Sequence, residues 1–218
     1  MSDVNKKNTY GVFTNNNLNK KLVFYPCPKN ENSSAKLFFI KHLKLEDSFY
    51  FLSDDVPEYK LNKKNKIPGK HNLIGFLPAK QKFSIMPDNF IKCCIIRDPV
   101  NRFLSAYKNR ILFHRDLQFY NLNIDEVLSK LENGNYDNKH FLPQNYFLGM
   151  NLKYYDFYSD IKNIEKFKKH VNIFFERNLE FPKIQTGGKD FIINLSKSQI
   201  DKIKFIYKDD YVMIDSGN

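Results

Sequence analysis

Phe90-Ile91-Lys92-Cys93-Cys94-Ile95-Ile96-Arg97-Asp98-Pro99-Val100-Asn101-Arg102-Phe103-Leu104-Ser105-Ala106-Tyr107 carries two periods in succession. Phe90 to Ile96 is a short, nearly continuous apolar run ending in two β-branched residues, the pattern of a buried strand. From Val100 the spacing changes. Val100, Phe103, Leu104, Tyr107 and then Ile111 recur at helical intervals and predict a core-facing stripe. Between the two lie Asp98, whose carboxylate suits an N-cap, and Pro99, whose fixed φ suits the first helical position. A strand running directly into a capped helix is a building unit of α/β folds. Arg97 emerges at the strand end, where open α/β sheets bind ligands.

A second such unit lies upstream. Lys21-Leu22-Val23-Phe24-Tyr25 reads as a strand, Pro26 to Ser34 as a turn-rich loop, and Ala35 to Leu43 as a helix. The loop ends where orphan backbone N–H groups and the helix dipole make an anion site. Lys29 can add a mobile charge and Ser33 and Ser34 can donate hydroxyls; an ordinary helix cap with a solvated Lys29 uses the same residues. Arg97 and Ser105 can likewise reach one phosphate, or Arg97 can pair with a neighbouring carboxylate. No G-x-x-x-x-G-K-[ST] pattern is present, which argues against a Walker ATPase.

Elsewhere, Ser48 to Leu52 and Val171 to Phe175 read as strands, Asp125 to Leu131 and Ile161 to Lys169 as helices, and residues 54–70 as a surface excursion. Ser196 opens a last helix through about Tyr207. The expected architecture is α/β, a mainly parallel central sheet flanked by helices. It forms a single domain over residues 21–218 behind a polar arm at 1–20.

The 218 residues carry a formal net charge of +11, which favours anionic ligands: nucleotide phosphates, acidic glycans, nucleic acid or anionic lipid. Two of the three cysteines, Cys93 and Cys94, are adjacent in an apolar run, and Cys27 stands alone. That pattern suggests neither a disulfide framework nor zinc, and fits a reducing compartment. Met1 to Asn19 has no apolar core of a signal peptide, and no stretch approaches the roughly 18 apolar residues of a membrane span. A soluble, cytoplasmic protein of a bacterium or phage is expected.

Pro28-Lys29, Ser33-Ser34 and then Ile95-Ile96-Arg97-Asp98-Pro99, Arg102-Phe103 and Ser105-Ala106-Tyr107 resemble the two nucleotide motifs of sulfotransferases. The resemblance is closest to Golgi-type carbohydrate sulfotransferases and their bacterial relatives. The first motif departs from the family, with Asn30-Glu31-Asn32 where small residues are common. His71, His140-Phe141-Leu142-Pro143-Gln144 and Ile206-Tyr207-Lys208-Asp209-Asp210-Tyr211 match further family segments. The likeness spans roughly 21–214, with 53–70 and 112–138 unmatched.

The resemblance implies a P-loop-like nucleotide fold and transfer of a sulfuryl group from 3′-phosphoadenosine-5′-phosphosulfate (PAPS) to a carbohydrate or glycoconjugate hydroxyl, with no metal. Lys29, Asn32, Ser33 and Ser34 would hold the 5′-phosphosulfate, and Arg97 and Ser105 the 3′-phosphate. Lys189, after Gly187-Gly188, would lie on a loop over the nucleotide. Lys29 would neutralise charge on the leaving oxygen. His71 is the first choice for the base and His140 the second. Glu31 is either a base or a solvated side chain. His42, His114 and His170 lack partners of metal-ligand spacing and read as solvated.

Transfer to a protein tyrosine or small alcohol is the nearest alternative. A phosphoryl kinase lacks its glycine-rich loop and an obvious magnesium carboxylate. A basic polyanion-binding module would use aromatic and lysine clusters such as Lys153-Tyr154-Tyr155-Asp156-Phe157-Tyr158, although no known nucleic-acid motif is present.

Overall fold

The structure is a computed structural model describing residues 10–46, 49–51, 59–61, 74–77, 87–184, 188 and 190–217. Its strands are β1 Tyr10–Asn15, β2 Lys20–Tyr25, β3 Phe49–Phe51, β4 Tyr59–Leu61, β5 Ile74–Leu77, β6 Phe90–Ile96 and β7 Phe157–Asp160. Five of them form one sheet in the order β5-β1-β2-β6-β7, while β3 and β4 make a separate antiparallel pair. β2 and β6 are parallel neighbours, with Tyr25 opposite Cys94. β1 runs antiparallel to both β2 and β5, so β2, β5 and β6 share one direction. Of these four strands, three run the same way and β1 opposes them, so the sheet is mainly parallel in strand direction, as the alternation of strand and helix predicts.

Backbone contacts divide the described residues into two units. The first comprises those within 1–26, 31–95 and 154–185 and holds the sheet, helix α1 (Asn32–His42) and a helix at Ile164–Phe175. Its centre is aromatic. Phe13 stacks on Phe39 at 4.2 Å between centroids, and Phe24, Phe38 and Phe167 complete the cluster. Burying each such ring contributes roughly 1.5–3 kcal/mol. Leu22, Val23, Phe24 and Tyr25 are all fully buried, so β2 is covered on both faces.

Two expectations fail in this unit. Tyr10–Asn15, taken as part of a polar arm, is a strand, because Val12 and Phe13 are buried despite their polar neighbours. Val171 to Phe175 is not a strand but the last turns of the helix Ile164–Phe175. There Phe167, Val171, Phe174 and Phe175 are buried at helical spacing. β-branched and aromatic content disguised that spacing.

The second unit comprises residues within 27–30, 96–153 and 186–218, and its regular elements are helical among the described residues. They are α2 Pro99–Ala106, α3 Ile124–Glu132, α4 Gln144–Leu148, and, after the first unit's helix α5 Ile164–Phe175, α6 Lys197–Ile206 and α7 Lys208–Asp215. Asp98 caps α2 by accepting from the Asn101 N–H at 2.9 Å, with Pro99 first in the helix. Reciprocal capping boxes start α3 at Asn123/Glu126 and α6 at Ser196/Gln199. After Ala106 the helix widens into a π-helical stretch, Tyr107–Phe113. Phe103, Tyr107 and Ile111 turn inward onto Val127, Leu131, Phe141 and Ile203.

Candidate active site

In the second unit, Cys27 to Asn30 forms a tight turn closed by the Asn30 N–H on the Cys27 carbonyl. Lys29 has φ 70°, a conformation that spends strain to turn the chain. Two arginines hold the turn by its backbone. Arg97 donates from Nη1 to the Lys29 carbonyl at 3.0 Å, and Arg102 donates from Nε to the Pro28 carbonyl at 3.0 Å. The two strand-to-helix junctions therefore meet at Lys29 and Arg97.

Arg102 also donates from Nη1 to the Leu142 carbonyl at 2.7 Å and is only 2 % exposed. Gln144, fully buried, ties the same corner together. Its Oε1 accepts from Asn30 Nδ2 at 2.6 Å and from the Arg97 N–H at 3.0 Å, while its Nε2 donates to the Arg97 carbonyl at 2.7 Å. Asp210 anchors Gln144 in turn, accepting from the N–H groups of Gln144 and Asn145 at 2.9 and 2.8 Å. Burial pushes the Asp210 carboxyl pKa upward, and those two hydrogen bonds oppose the shift. Tyr207 completes the scaffold by donating to the Phe141 carbonyl at 2.7 Å. Gln144, Asp210 and Tyr207 all fall in motif segments, yet the sequence assigned them no role. Their work is to hold backbone groups, and no residue pattern announces that.

His140 begins the Phe141–Gln144 segment and lines a cleft of about 340 Å³ with Arg110, Asp116, Leu117, Gln118, Asp137, Asn138 and Lys139. Its Nδ1 lies 2.8 Å from Asn138 Oδ1. Asn138 Nδ2 donates to Asp116 Oδ2 at 2.5 Å, and Arg110 grips Asp116 through two bonds of 2.7 Å. A carboxylate only accepts, so the amide nitrogen of Asn138 must face Asp116 and its oxygen the imidazole. Nδ1 of His140 therefore carries the proton and Nε2 the lone pair. Burial, and then Arg110, Lys29, Lys139 and Arg102, push the His140 pKa down to about 2, so the ring is neutral near pH 7.

In the first unit, Glu31 precedes α1 with φ 53° and makes no side-chain cap. Its carboxylate accepts from the Ser34 hydroxyl at 2.8 Å, so it neither points to solvent alone nor leaves Ser34 idle. Asn32 is the first residue of α1 and Ser33 the second, both half-buried. In the second unit, Ser105 sits half-buried on α2, three residues beyond Arg102.

His71 and Lys189 lie outside the described residues. Gly188 is described: it is buried, with φ 87°, and a β-carbon there would sit 2.8 Å from the Lys108 carbonyl. Only glycine fits so close to the π-helical stretch. His42 is a correction. It is buried rather than solvated, lying 4.5 Å from the Phe38 ring and 4.9 Å from the Phe175 ring. Tyr155, in the aromatic cluster considered for nucleic-acid stacking, is buried, and with Tyr154 it packs edge-on against Tyr25. Among the described residues no helix is long and apolar enough to cross a membrane.

A family model described as the sulfotransferase family matches residues 15–215. No curated protein and no solved structure matches the chain.

Proposed function

The chain belongs to the sulfotransferase family, a family of sulfuryl-transferring enzymes, and we propose that it uses PAPS as donor and a carbohydrate or glycoconjugate hydroxyl as acceptor. The observation that carries this reading is the 3.0 Å hydrogen bond from Arg97 to the Lys29 carbonyl. It joins the residues that the two nucleotide motifs assign to opposite ends of one doubly phosphorylated adenosine. Lys29, Asn32, Ser33 and Ser34 then bind the 5′-phosphosulfate, Arg97 and Ser105 bind the 3′-phosphate, and Lys189 covers the nucleotide. The domain begins at β1 rather than at residue 21, because Tyr10–Asn15 pairs with β2.

The acceptor oxygen attacks sulfur in line with the departing phosphate, and Lys29 neutralises the charge that grows on the bridging oxygen. His71 matches the family's base by position, and His140 is the second choice. Three buried cysteines without a disulfide favour a reducing, cytoplasmic setting.

Thermal unfolding separates this reading from its rivals. Adenosine 3′,5′-bisphosphate should raise the melting temperature, while ATP with magnesium and a single-stranded oligonucleotide should raise it less. Stabilisation by ATP with magnesium alone would favour a kinase, and stabilisation by the oligonucleotide alone a polyanion binder.

A further inference from the structure

Gln144 joins the two nucleotide segments to each other as well as to the scaffold. Its side chain is fully buried, and three of its hydrogen bonds end on those segments. Two involve the backbone of Arg97, whose N–H donates to Oε1 at 3.0 Å and whose carbonyl accepts from Nε2 at 2.7 Å. A backbone N–H only donates and a carbonyl only accepts, so this pairing fixes which end of the amide faces which group. The third comes from Asn30 Nδ2, 2.6 Å from the same Oε1. Asn30 follows Lys29 in the turn, and the Lys29 carbonyl accepts from Arg97 Nη1 at 3.0 Å. The circuit is therefore closed. It runs from Gln144 to Asn30, along the turn to Lys29, across to the Arg97 guanidinium, and through the Arg97 backbone to Gln144.

Asp210 fixes this ring in place by accepting from the N–H groups of Gln144 and Asn145, and Arg102 holds the same turn at the Pro28 carbonyl. All these residues belong to the second unit. Buried polar groups tolerate little departure from good hydrogen-bond geometry, because an unmade bond there costs the full desolvation penalty. A closed ring of such bonds has one favourable size, and it acts as a spacer of fixed length.

Resting on the donor reading above, we propose that Gln144 is a positioning and specificity-determining residue. It sets the span between Lys29, which meets the 5′ end of the donor, and Arg97, which meets the 3′-phosphate, and so makes the site selective for an adenosine carrying both groups. A ligand with two anionic ends gains most from its second contact when both partners already stand at the matching separation. With the ring intact, that separation exists before the nucleotide arrives. Without Gln144, Asn30 Nδ2 and both backbone groups of Arg97 lose this partner, and the turn is left to the Arg97 Nη1 bond and to Arg102. The bisphosphate must then order two ends at once. A monophosphate engages one end and does not sense the distance between them.

The test is calorimetric titration of the full chain, as wild type, Gln144→Ala and Asn30→Ala, with adenosine 3′,5′-bisphosphate, adenosine 5′-monophosphate and adenosine 3′-monophosphate. Thermal unfolding records the stability of each variant. Asn30→Ala removes the arm to the turn and leaves Gln144 on Arg97, so it opens the ring at one place. Bisphosphate affinity should fall roughly tenfold or more in Gln144→Ala and roughly fivefold in Asn30→Ala, while each monophosphate changes by less than about twofold. A residue that merely stabilised the fold would weaken all three nucleotides by the same factor. That parallel loss, or undiminished bisphosphate binding in Asn30→Ala, overturns the spacer and leaves the donor reading standing. If Gln144→Ala does not fold, Asn30→Ala decides by the same criteria. If the wild type does not bind the bisphosphate, the donor reading falls and the spacer falls with it.

Discussion

Arg102 and His42 show how differently two buried polar residues behave. Arg102 holds two carbonyls, Pro28 and Leu142, through a planar fork that a lysine cannot reproduce. Arg102→Lys should destabilise the protein by about 2 kcal/mol in denaturant unfolding and weaken bisphosphate binding, since the Lys29 turn loses its support. A variant as stable as the wild type would remove that role. His42 has its pKa lowered to about 4 by burial and then by Arg177. An unfolded imidazole titrates near 6.5, so the stability gained by keeping His42 neutral is intact above that pH. It drains away as pH falls from about 6.5 towards 4, by at most about 3 kcal/mol. In His42→Phe, the drop in melting temperature between neutral pH and pH 4 should shrink by several degrees; an unchanged drop would place the acid sensitivity elsewhere. Lys29 and Arg97 could be singled out from the sequence because one lies in the turn after β2 and the other directly follows β6, each inside a motif. Gln144 and Asp210 could not, because their partners are backbone groups 47 and 65–66 residues away.

At the level of elements, β6, its turn and α2 were legible almost residue by residue, because strand period, N-cap, proline and helical stripe agree. The last turns of α5 were not, since Val171-Asn172-Ile173-Phe174-Phe175 has the composition of a strand and only packing on Phe167 reveals the helix. The start of α1 holds a conflict that bears on function. Glu31 places a carboxylate where an anionic nucleotide is expected, and it occupies the Ser34 hydroxyl. Glu31→Gln should tighten bisphosphate binding by roughly threefold, at a cost of a few tenths of a kcal/mol in helix stability. Weaker binding in that variant would mean that the carboxylate helps to order the loop. Gly188→Ala should be destabilising by about 1–3 kcal/mol, from left-handed strain and collision with the Lys108 carbonyl. Chemical denaturation would show it.

For the molecule as a whole, the net charge of +11 favours anionic ligands and says nothing finer. The strand content of residues 10–15 and 157–160 was hidden, because the buried Val12 and Phe13 are adjacent rather than alternating, and in 157–160 the buried residue is Ser159, so neither segment shows an apolar period of two. The charge has a measurable consequence: the association rate of the bisphosphate should fall as ionic strength rises, in stopped-flow at increasing salt. A salt-independent rate would limit the role of charge to the site itself.

The most direct test of the whole account is calorimetric titration of the wild type and Arg97→Ala with adenosine 3′,5′-bisphosphate and with adenosine 5′-monophosphate. The wild type should prefer the bisphosphate. Arg97→Ala should lose roughly tenfold or more in bisphosphate affinity, the effect of removing a charge-assisted contact of about 1.5–3 kcal/mol, and a smaller factor for the monophosphate, which feels only the loosened Lys29 turn. Equal affinity of the wild type for the two nucleotides, or undiminished bisphosphate binding in Arg97→Ala, would contradict a donor site built on Arg97.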